Sequence, residues 1–418
     1  MVERIIKPDM SEEQEIKIQT ILTRGVEAVY PHSDALDAVL RSGKKLKVYC
    51  GFDPTAPSMH VGHLIQMQKL ADFQRAGHEV IFLVGDFTAM IGDPTDKTSS
   101  RQRLSREQVL KNMASYKQQA ARILDFDNQT NPVKVLYNSE WLNKLGMADV
   151  LDMFSRMTVQ QLLAHETYKK RLEEGKPLSC IEIIYPFMQG YDSVAMQVDV
   201  EVGGKDQTFN MLWGRELVKS FLGKEKYVVA GRLLTSGGEK MGKTTGARPI
   251  SFLDSPNTIF QGVMLWPDDS ICSGFELCTR VPMEMVKKVG NAIYAGKNPL
   301  EFKKQLALEI TRIMKGEADA QAALRAYESL VEQKSNEGEN IPVIKFSIPE
   351  GRETATILDL VVAAGLASSK GQARTLVQQG GVSINGEKVE NIRAEYKQGL
   401  LTVRVGKKAT GIRTIEIF

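Results

Sequence analysis

The sequence predicts an α/β fold built on a parallel sheet, joined to a helical subdomain and a small α+β module. Three observations carry that reading. Leu46 to Cys50 and Glu79 to Val84 are strand-like apolar runs, and the stretch between them from Leu64 to Ala76, closed by Gly77, has helical character. A strand, a turn, a helix and a second strand at this spacing form a βαβ unit, whose crossover makes the two strands parallel. From Pro282 to Gln333 apolar positions return at helical spacing, as in Leu306, Ile310, Ile313 and Met314, then Ala323, Leu324, Tyr327, Leu330 and Val331. Ser335 to Pro342 has linker composition. After it come two helical stretches, Ile357 to Ala364 and Lys370 to Gln379, and a strand, Val382 to Ile384, turning at Asn385-Gly386.

Taken in order, residues 1 to about 45 read as polar helix, with Ile16, Ile21, Leu22, Val26 and Val29 as a rough apolar stripe covering the sheet. The βαβ unit follows. Ligands of such a sheet lie beyond the strand carboxyl ends, where Gly51 and, after Val84, the glycines and Asp93 fall. Gln102 to Leu124 reads as a charged helix, and apolar and polar segments alternate to about Ala230. The expected divisions are 1–250 for the helical cover and a Rossmann-like domain, 251–340 for a helical subdomain and linker, and 352–418 for the small module. No internal repeat or low-complexity tract interrupts them.

A chain of 418 residues exceeds what one hydrophobic core usually serves, which favours more than one domain. Lys and Arg number 54 against 51 Asp and Glu, so total charge points to no class of partner. Its distribution does: Arg352 to Phe418 holds ten Lys and Arg against six Asp and Glu, and everything before it 44 against 45. Cys50, Cys180, Cys272 and Cys278 show neither CxxC spacing nor a paired histidine, so no zinc site or disulfide framework is indicated. The N-terminus lacks the apolar core of a signal peptide, and no apolar run is long enough for a bilayer. A soluble cytoplasmic protein without membrane partners is expected.

Two segments carry chemistry. His60-Val61-Gly62-His63 sets two imidazoles at the start of a helix, where backbone N–H groups and the helix dipole favour a phosphate. The preceding loop, Asp53-Pro54-Thr55-Ala56-Pro57-Ser58, offers capping and phosphate-binding groups but no third metal ligand. Read alone, the tetrapeptide also fits ordinary helix-start polar residues or a partial metal site. Lys240-Met241-Gly242-Lys243-Thr244 adds cations in a glycine-rich loop suited to closing over pyrophosphate. With Gly237 it satisfies the P-loop pattern GxxxxGK[ST], so a P-loop NTPase is the alternative; but Thr245 to Pro249 continues with Gly and Pro rather than opening a helix.

Together the two segments resemble the signatures of class I aminoacyl-tRNA synthetases, with Val61 where Ile is usual and KMGKT where the class has KMSKS. The resemblance implies that His60, His63, Thr55, Lys240 and Lys243 are catalytic, and that Gly51, Asp53, Gly62, Asp206 and Thr244 complete the ATP contacts. Mg²⁺ is expected with ATP, and no tightly held protein metal. Four segments narrow the likeness to the tyrosyl-tRNA synthetase family: Val48 to Thr55, Ile91 to Pro94, Tyr185 to Asp192 and Gly203 to Gln207. By that resemblance Tyr49 and Asp192 hold the tyrosine hydroxyl, Asp93, Tyr185 and Gln189 its α-amino group, and Gln207 its carboxylate side. A buried carboxylate that accepts a phenolic O–H is left unpaired by phenylalanine, so rejection by binding is feasible without an editing domain. Without the other segments, Tyr185 to Asp192 would read as an amphipathic core helix.

From about Thr354 the chain resembles an S4 RNA-binding domain, through Ile357 to Leu360, Ser369 to Arg374 and Gly381 to Gly386. Lys370, Arg374, Lys388, Arg393, Lys407 and Lys408 are then candidate phosphate contacts. A generic S4-type RNA-binding protein is the second alternative, which leaves the nucleotide signatures unexplained. The family resemblance further implies L-tyrosine, ATP and tRNA(Tyr) as partners, transfer of tyrosine to the terminal adenosine, and a homodimer.

Overall fold

The computed structural model describes residues 11–93, 103–164, 166–236, 239–240, 249–339, 343–349, 352–406 and 412–418, and for 236, 239, 240, 330–339, 343 and 412 the backbone alone. The chain forms two compact units, Met1–Leu324 and Arg325–Phe418. In the first, six strands make one sheet: β1 (Val26–Tyr30), β2 (Lys47–Phe52), β3 (Glu79–Val84), β4 (Lys134–Tyr137), β5 (Val200–Gly204) and β6 (Tyr227–Gly231). Their spatial order is β1-β6-β5-β2-β3-β4, all parallel except the edge pair β1–β6. The expected α/β class and parallel sheet are therefore observed. From β2 the chain runs to β3 and β4 on one side, then returns to build β5 and β6 on the other. The carboxyl ends of β2 and β5 thus border a switch point, from which the onward connections leave toward opposite edges.

Residues 11–45 are not one helical cover. They form α1 (Glu12–Thr23), strand β1 and α2 (Ser33–Arg41). Gly25, at φ +64°, stops α1 in a conformation that costs glycine least, and the β-branched Val26 and Val29 then pair with β6. Helix α3 (Val61–Arg75) packs on β2, β3 and β5, with α1 over it, and is buried almost all round. The charges on it have specific partners. Lys69 Nζ donates to the carbonyls of Thr20 and Ile21 at 2.9 and 3.0 Å, closing the end of α1, and burial brings its ammonium down to about 8.

The stretch expected as one helix from Gln102 to Leu124 is broken after Met113, into α4 (Arg106–Met113) and α5 (Tyr116–Ala120). The break lets the Tyr116 hydroxyl reach the Ala56 carbonyl at 2.8 Å and the Gln119 amide oxygen accept the Met59 N–H at 2.8 Å, tying α5 to the loop before α3. Between β4 and β5 lie α6 (Ser139–Leu142), α7 (Met147–Phe154), α8 (Val159–Leu163), α9 (Glu166–Glu173) and α10 (Cys180–Met196), and α11 (Thr208–Leu222) joins β5 to β6. After β6, β7 (Thr235–Ser236) and β8 (Glu239–Lys240) pair antiparallel. Four helices follow, α12 (Pro256–Met264), α13 (Ile271–Cys278), α14 (Met283–Tyr294) and α15 (Pro299–Lys315). Arg24 fixes α13 beside α1: its guanidinium donates to the carbonyls of Phe275, Glu276, Thr279 and Val281 at 2.9 to 3.1 Å, in the last turn of that helix and just beyond it, where carbonyls lack intrahelical partners.

Helix α16 (Glu317–Glu339) takes in Ser335 to Glu339, which composition had assigned to a linker. The boundary between the two units falls within it, after Leu324. In the second unit β9 (Val343–Phe346), β10 (Ala355–Thr356), α17 (Ile357–Ala363), α18 (Lys370–Gln378), β11 (Val382–Ile384), β12 (Glu387–Lys388), β13 (Glu395–Tyr396), β14 (Gly399–Val405) and β15 (Ile412–Ile417) follow in turn. The five-stranded sheet β12-β11-β14-β15-β9 buries Val382, Val403 and Ile415 with Ile357, Leu360 and Val377 of the helices. The predicted hairpin turns with positive φ at both Asn385 and Gly386, as a primed turn requires.

One buried group links stability to pH. His78 Nδ1 accepts the Leu46 N–H at 3.3 Å before β2, and burial holds its imidazole down at about 4 against an ordinary 6.5. The unfolded chain therefore takes a proton below about 6.5 that the folded one refuses until about 4, so stability from this group is complete above 6.5 and falls across that window. The full effect is ~3 kcal/mol. In denaturant titrations from pH 7 to pH 4, His78→Gln is expected to lose stability less steeply than the parent; parallel profiles would show that His78 titrates normally.

Candidate active site

A cleft of about 460 Å³ opens at the switch point. Strand β2 supplies Tyr49 and Gly51, the loop after it Asp53 and Thr55, the head of α3 His60, Gly62 and His63, and the far end of β5 leads to Asp206 and Gln207. The third wall is α10. Tyr185, Gln189 and Asp192 lie at i, i+4 and i+7, one helical face, and all three line the cleft, while Phe187 and Val194 turn away into a cluster with Trp213 and Leu217 of α11. Pro186 sits within this helix and cannot bond the Glu182 carbonyl; the Tyr168 hydroxyl donates to that oxygen instead, at 2.9 Å.

The inner end is closed by a buried polar network. Asp192 accepts the Trp141 indole N–H at 2.7 Å on one oxygen and the Asn138 amide at 3.2 Å on the other. Burial pushes its carboxyl well up, and these two donors oppose that by holding the anion. The Tyr49 hydroxyl is 2.8 Å from Ser193 Oγ, and burial with Glu201 and Asp192 nearby drives its phenol well above the usual range. Glu201 accepts the Gln189 amide at 3.0 Å and forms an ion pair with Lys226, both side chains at most 3% exposed. Burial lowers the Lys226 ammonium, opposed by Glu201.

Midway along, Asp53 accepts Thr88 Oγ1 at 2.7 Å and the Tyr185 hydroxyl at 2.9 Å. Asp93 accepts the Gln207 amide at 2.6 Å, and Asn210 donates to Gln189 Oε1 at 3.1 Å and Gln207 Oε1 at 3.3 Å. At the mouth, His60 is the N-cap of α3, its Nδ1 accepting the Gly62 N–H at 3.1 Å, while His63 Nδ1 accepts the His60 N–H at 3.0 Å. Because each Nδ1 is an acceptor, each neutral ring carries its hydrogen on Nε2. The loop is pinned from the other side: Val61 N–H donates to the Ile250 carbonyl at 3.0 Å and Phe252 N–H to that of Met59 at 2.9 Å. Ile250 is seven residues after Lys243 in the chain.

The charge of the lining is one-sided. Asp53, Asp93, Asp192, Glu201 and Asp206 face the cleft, and no Lys or Arg is among the described lining residues. Such a surface attracts an ammonium group within the cleft and leaves a polyphosphate to the α3 N-terminus and to cations brought from outside.

The structure thus gathers Tyr49, Gly51, Asp53, Thr55, His60, Gly62, His63, Asp93, Tyr185, Gln189, Asp192, Asp206 and Gln207 around one cleft. Lys243, Thr244, Lys407 and Lys408 lie outside the described residues, as does the side chain of Lys240, whose backbone pairs with Thr235. In the second unit Arg374 and Arg393 are exposed, whereas Lys370 is ion-paired to Asp359 at 2.5 Å and Lys388 to Glu390 at 3.3 Å, which reduces the positive charge they present. Asn138, Trp141, Ser193, Glu201 and Lys226 were not foreseen from sequence. The available signal was Glu201, an acidic residue between Val200 and Val202 in a strand buried throughout.

The family of class I tRNA synthetases for tryptophan and tyrosine matches residues 41–332, and a C-terminal domain of the tyrosine–tRNA ligase type matches 334–409. The chain is 40% identical over 389 residues to a tyrosine–tRNA ligase of Haemophilus ducreyi, covering 93% of this chain and 95% of that protein. It is 39% identical to one from Aquifex aeolicus, covering 88% and 91%. A C-terminally truncated mitochondrial tyrosyl-tRNA synthetase of Aspergillus nidulans superposes with a TM-score of 0.65 at 26% identity, covering 75% of this chain and 94% of that one.

The middle of the cleft tolerates no added atom at Gly85. A Cβ there would lie 2.0 Å from Asp53 Oδ1 and 2.4 Å from Thr88 Oγ1. Gly85→Ala is expected to cost ~1–3 kcal/mol in thermal unfolding, by displacing Asp53 from Thr88 and Tyr185. An unchanged melting temperature would mean that Asp53 is free to move and does not organise the cleft.

Proposed function

The chain belongs to the tyrosine–tRNA ligase family of class I aminoacyl-tRNA synthetases, and on that premise we propose how the cleft divides its substrates and which residues act on them. The enzyme uses ATP to activate tyrosine and passes it to tRNA, and the P-loop and generic RNA-binding readings are not favoured. One observation carries the proposed division: the cleft ends inward on the buried Tyr49 and Asp192 and outward on the two histidines at the head of α3.

In this reading the phenol of L-tyrosine occupies the inner end against Tyr49 and Asp192. Its ammonium lies among Asp93, Tyr185 and Gln189, where the carboxylates favour a cation, and its carboxylate faces Gln207 and the mouth. ATP lies along Gly51, Asp53, Thr55 and Gly62, with its ribose at Asp206. The carboxylate oxygen attacks the α-phosphorus, a new P–O bond forms, and the bond to the bridging oxygen breaks with its electron pair leaving on pyrophosphate. No base is needed, since the carboxylate is already an anion at neutral pH. Catalysis is then positioning and charge stabilisation. The Nε2–H groups of His60 and His63 donate to the phosphate oxygens as charge builds, helped by the α3 dipole. Lys240, Lys243 and Thr244 are proposed to receive the pyrophosphate, consistent with the short chain distance from Lys243 to the strand-like pairing at Ile250. Mg²⁺ is proposed to arrive on the ATP phosphates, neutralising them; among the described residues no three His, Cys, Asp or Glu side chains converge on a metal.

The C-terminal unit is proposed as an S4-like module that grips tRNA(Tyr), with Arg374 and Arg393 as its more available cations beside Lys370, Lys388, Lys407 and Lys408. The 3′-terminal adenosine then accepts the tyrosyl group. A cytoplasmic homodimer is also proposed. No described helix is long and apolar enough to cross a membrane, and Met147, Leu151 and Val159, on α7 and α8, are 75%, 59% and 66% exposed, the kind of apolar surface a second copy would cover.

ATP–pyrophosphate exchange without tRNA is expected with tyrosine alone among the amino acids; exchange with tryptophan instead would overturn the inner-end assignment. A chain ended after Glu339 is expected to keep that exchange and lose charging of tRNA(Tyr), and undiminished charging would remove the C-terminal unit from tRNA binding. Met147→Glu with Leu151→Glu is expected to shift the protein from dimer to monomer in analytical ultracentrifugation, whereas a dimer that persists would place the interface elsewhere.

A further inference from the structure

The buried network behind Tyr49 has a direction. Lys226 Nζ is a donor only; it lies 2.8 Å from Ser193 Oγ and is ion-paired to Glu201. Asp192 accepts an N–H on each oxygen, which leaves it acceptor capacity for a further donor from the cleft. Between these ends stand two hydroxyls, Ser193 and Tyr49, 2.8 Å apart, and each has one hydrogen to give. Since Lys226 already donates to Ser193 Oγ, the Ser193 hydrogen points elsewhere, either to Tyr49 at 2.8 Å or to Glu201 at 3.4 Å. The shorter contact and the supply of Glu201 by Lys226 and Gln189 favour Tyr49. Tyr49 then accepts from Ser193, and its own hydrogen is left for Glu201, which also interacts with its hydroxyl, or, once a substrate phenol is seated, for a partner in the cleft.

We propose that Lys226 and Ser193 are positioning residues for substrate selection: they orient the Tyr49 hydroxyl as a donor to the substrate phenol, which in turn donates to Asp192. The inference rests on the proposed placement of the phenol at the inner end. Every hydroxyl in the resulting chain, from Lys226 through Ser193, Tyr49 and the phenol to Asp192, accepts one hydrogen and gives one. The opposite orientation would turn two acceptors, Tyr49 and Asp192, toward a phenol that has a single hydrogen. Polarised chains of this kind strengthen each member. Phenylalanine cannot join it and leaves both Tyr49 and Asp192 facing an apolar ring. Discrimination is thereby lodged partly in two side chains that never touch the amino acid.

The test is kcat/KM in ATP–pyrophosphate exchange of the full-length enzyme, for tyrosine and for phenylalanine. Ser193→Ala is expected to lower the tyrosine value about tenfold or more, chiefly through KM, while the phenylalanine value stays within about twofold. Equal losses for both amino acids, or no loss for either, would overturn the proposal, since a structural defect does not distinguish a phenol from a phenyl ring. The double variant Lys226→Met/Glu201→Gln removes both buried charges while keeping an acceptor for Gln189; it is expected to reproduce the selective loss, and intact discrimination in it would also overturn the proposal. Asp192→Asn separates the two levels. If it abolishes discrimination while Ser193→Ala does not, the relay fails and the phenol placement stands; if Asp192→Asn leaves discrimination intact, the placement itself fails.

Discussion

The site depends on the reversal of chain direction between β2 and β5. Two adjacent parallel strands end side by side, and because their onward connections leave toward opposite edges, a crevice opens between those ends. Tyr49 to His63, Asp206 and Gln207 are then placed by their distance in sequence from one of the two strand ends, Tyr185, Gln189 and Asp192 by their position along α10, and Asp93 by the loop after β3. Tyr49 and Glu201 are register partners across β2 and β5, which brings the inner end of the cleft and its buried ion pair to the same level of the sheet. The loops that follow rise from this floor to the mouth.

Helix α10 supplies the wall that the sheet cannot. Its cleft-facing residues are polar and its opposite face is apolar, so the same packing against α11 that stabilises the helix also sets the depth of Tyr185, Gln189, Asp192 and Ser193. The approach is close: a Cβ on Gly190 would lie 3.3 Å from the Gly214 Cα and 2.8 Å from Leu217. Burying Lys226 and Glu201 beneath this wall is costly for either alone, and losing one partner of such a pair typically costs ~3–5 kcal/mol. A cheaper core would use apolar residues there. The pair instead supplies a fixed donor and a fixed acceptor to hydroxyl and amide groups that would otherwise rotate among alternatives.

Much of this was legible in the residues. Glu79–Val84 and the Asn385-Gly386 hairpin follow from local pattern, and the histidine and glycine motifs fell where a βαβ unit puts its ligand. The misreadings have physical causes. Val26 to Tyr30 continued an apparent helical stripe, but tertiary pairing with β6 decided its state. Ser335 to Glu339 has the composition of a linker, yet it extends a helix already nucleated from Glu317. Ser193 and Lys226 were invisible for a different reason: a serine in an apolar helix and a lysine before a strand are unremarkable until the fold sets them 2.8 Å apart.

The one-sided charge of the cleft bears on what happens after the bond to pyrophosphate breaks. Under the proposed roles, the two products differ in sign where it matters: the adenylate still carries the ammonium that lies among Asp93, Tyr185 and Gln189, while pyrophosphate is a polyanion at the mouth, bordering a lining whose described residues include carboxyl groups and no Lys or Arg. The cleft therefore holds one product along its length and the other at its mouth. An enzyme that must keep a reactive mixed anhydride until a large second substrate arrives gains from that asymmetry, because the reverse reaction loses its partner while the intermediate stays bound.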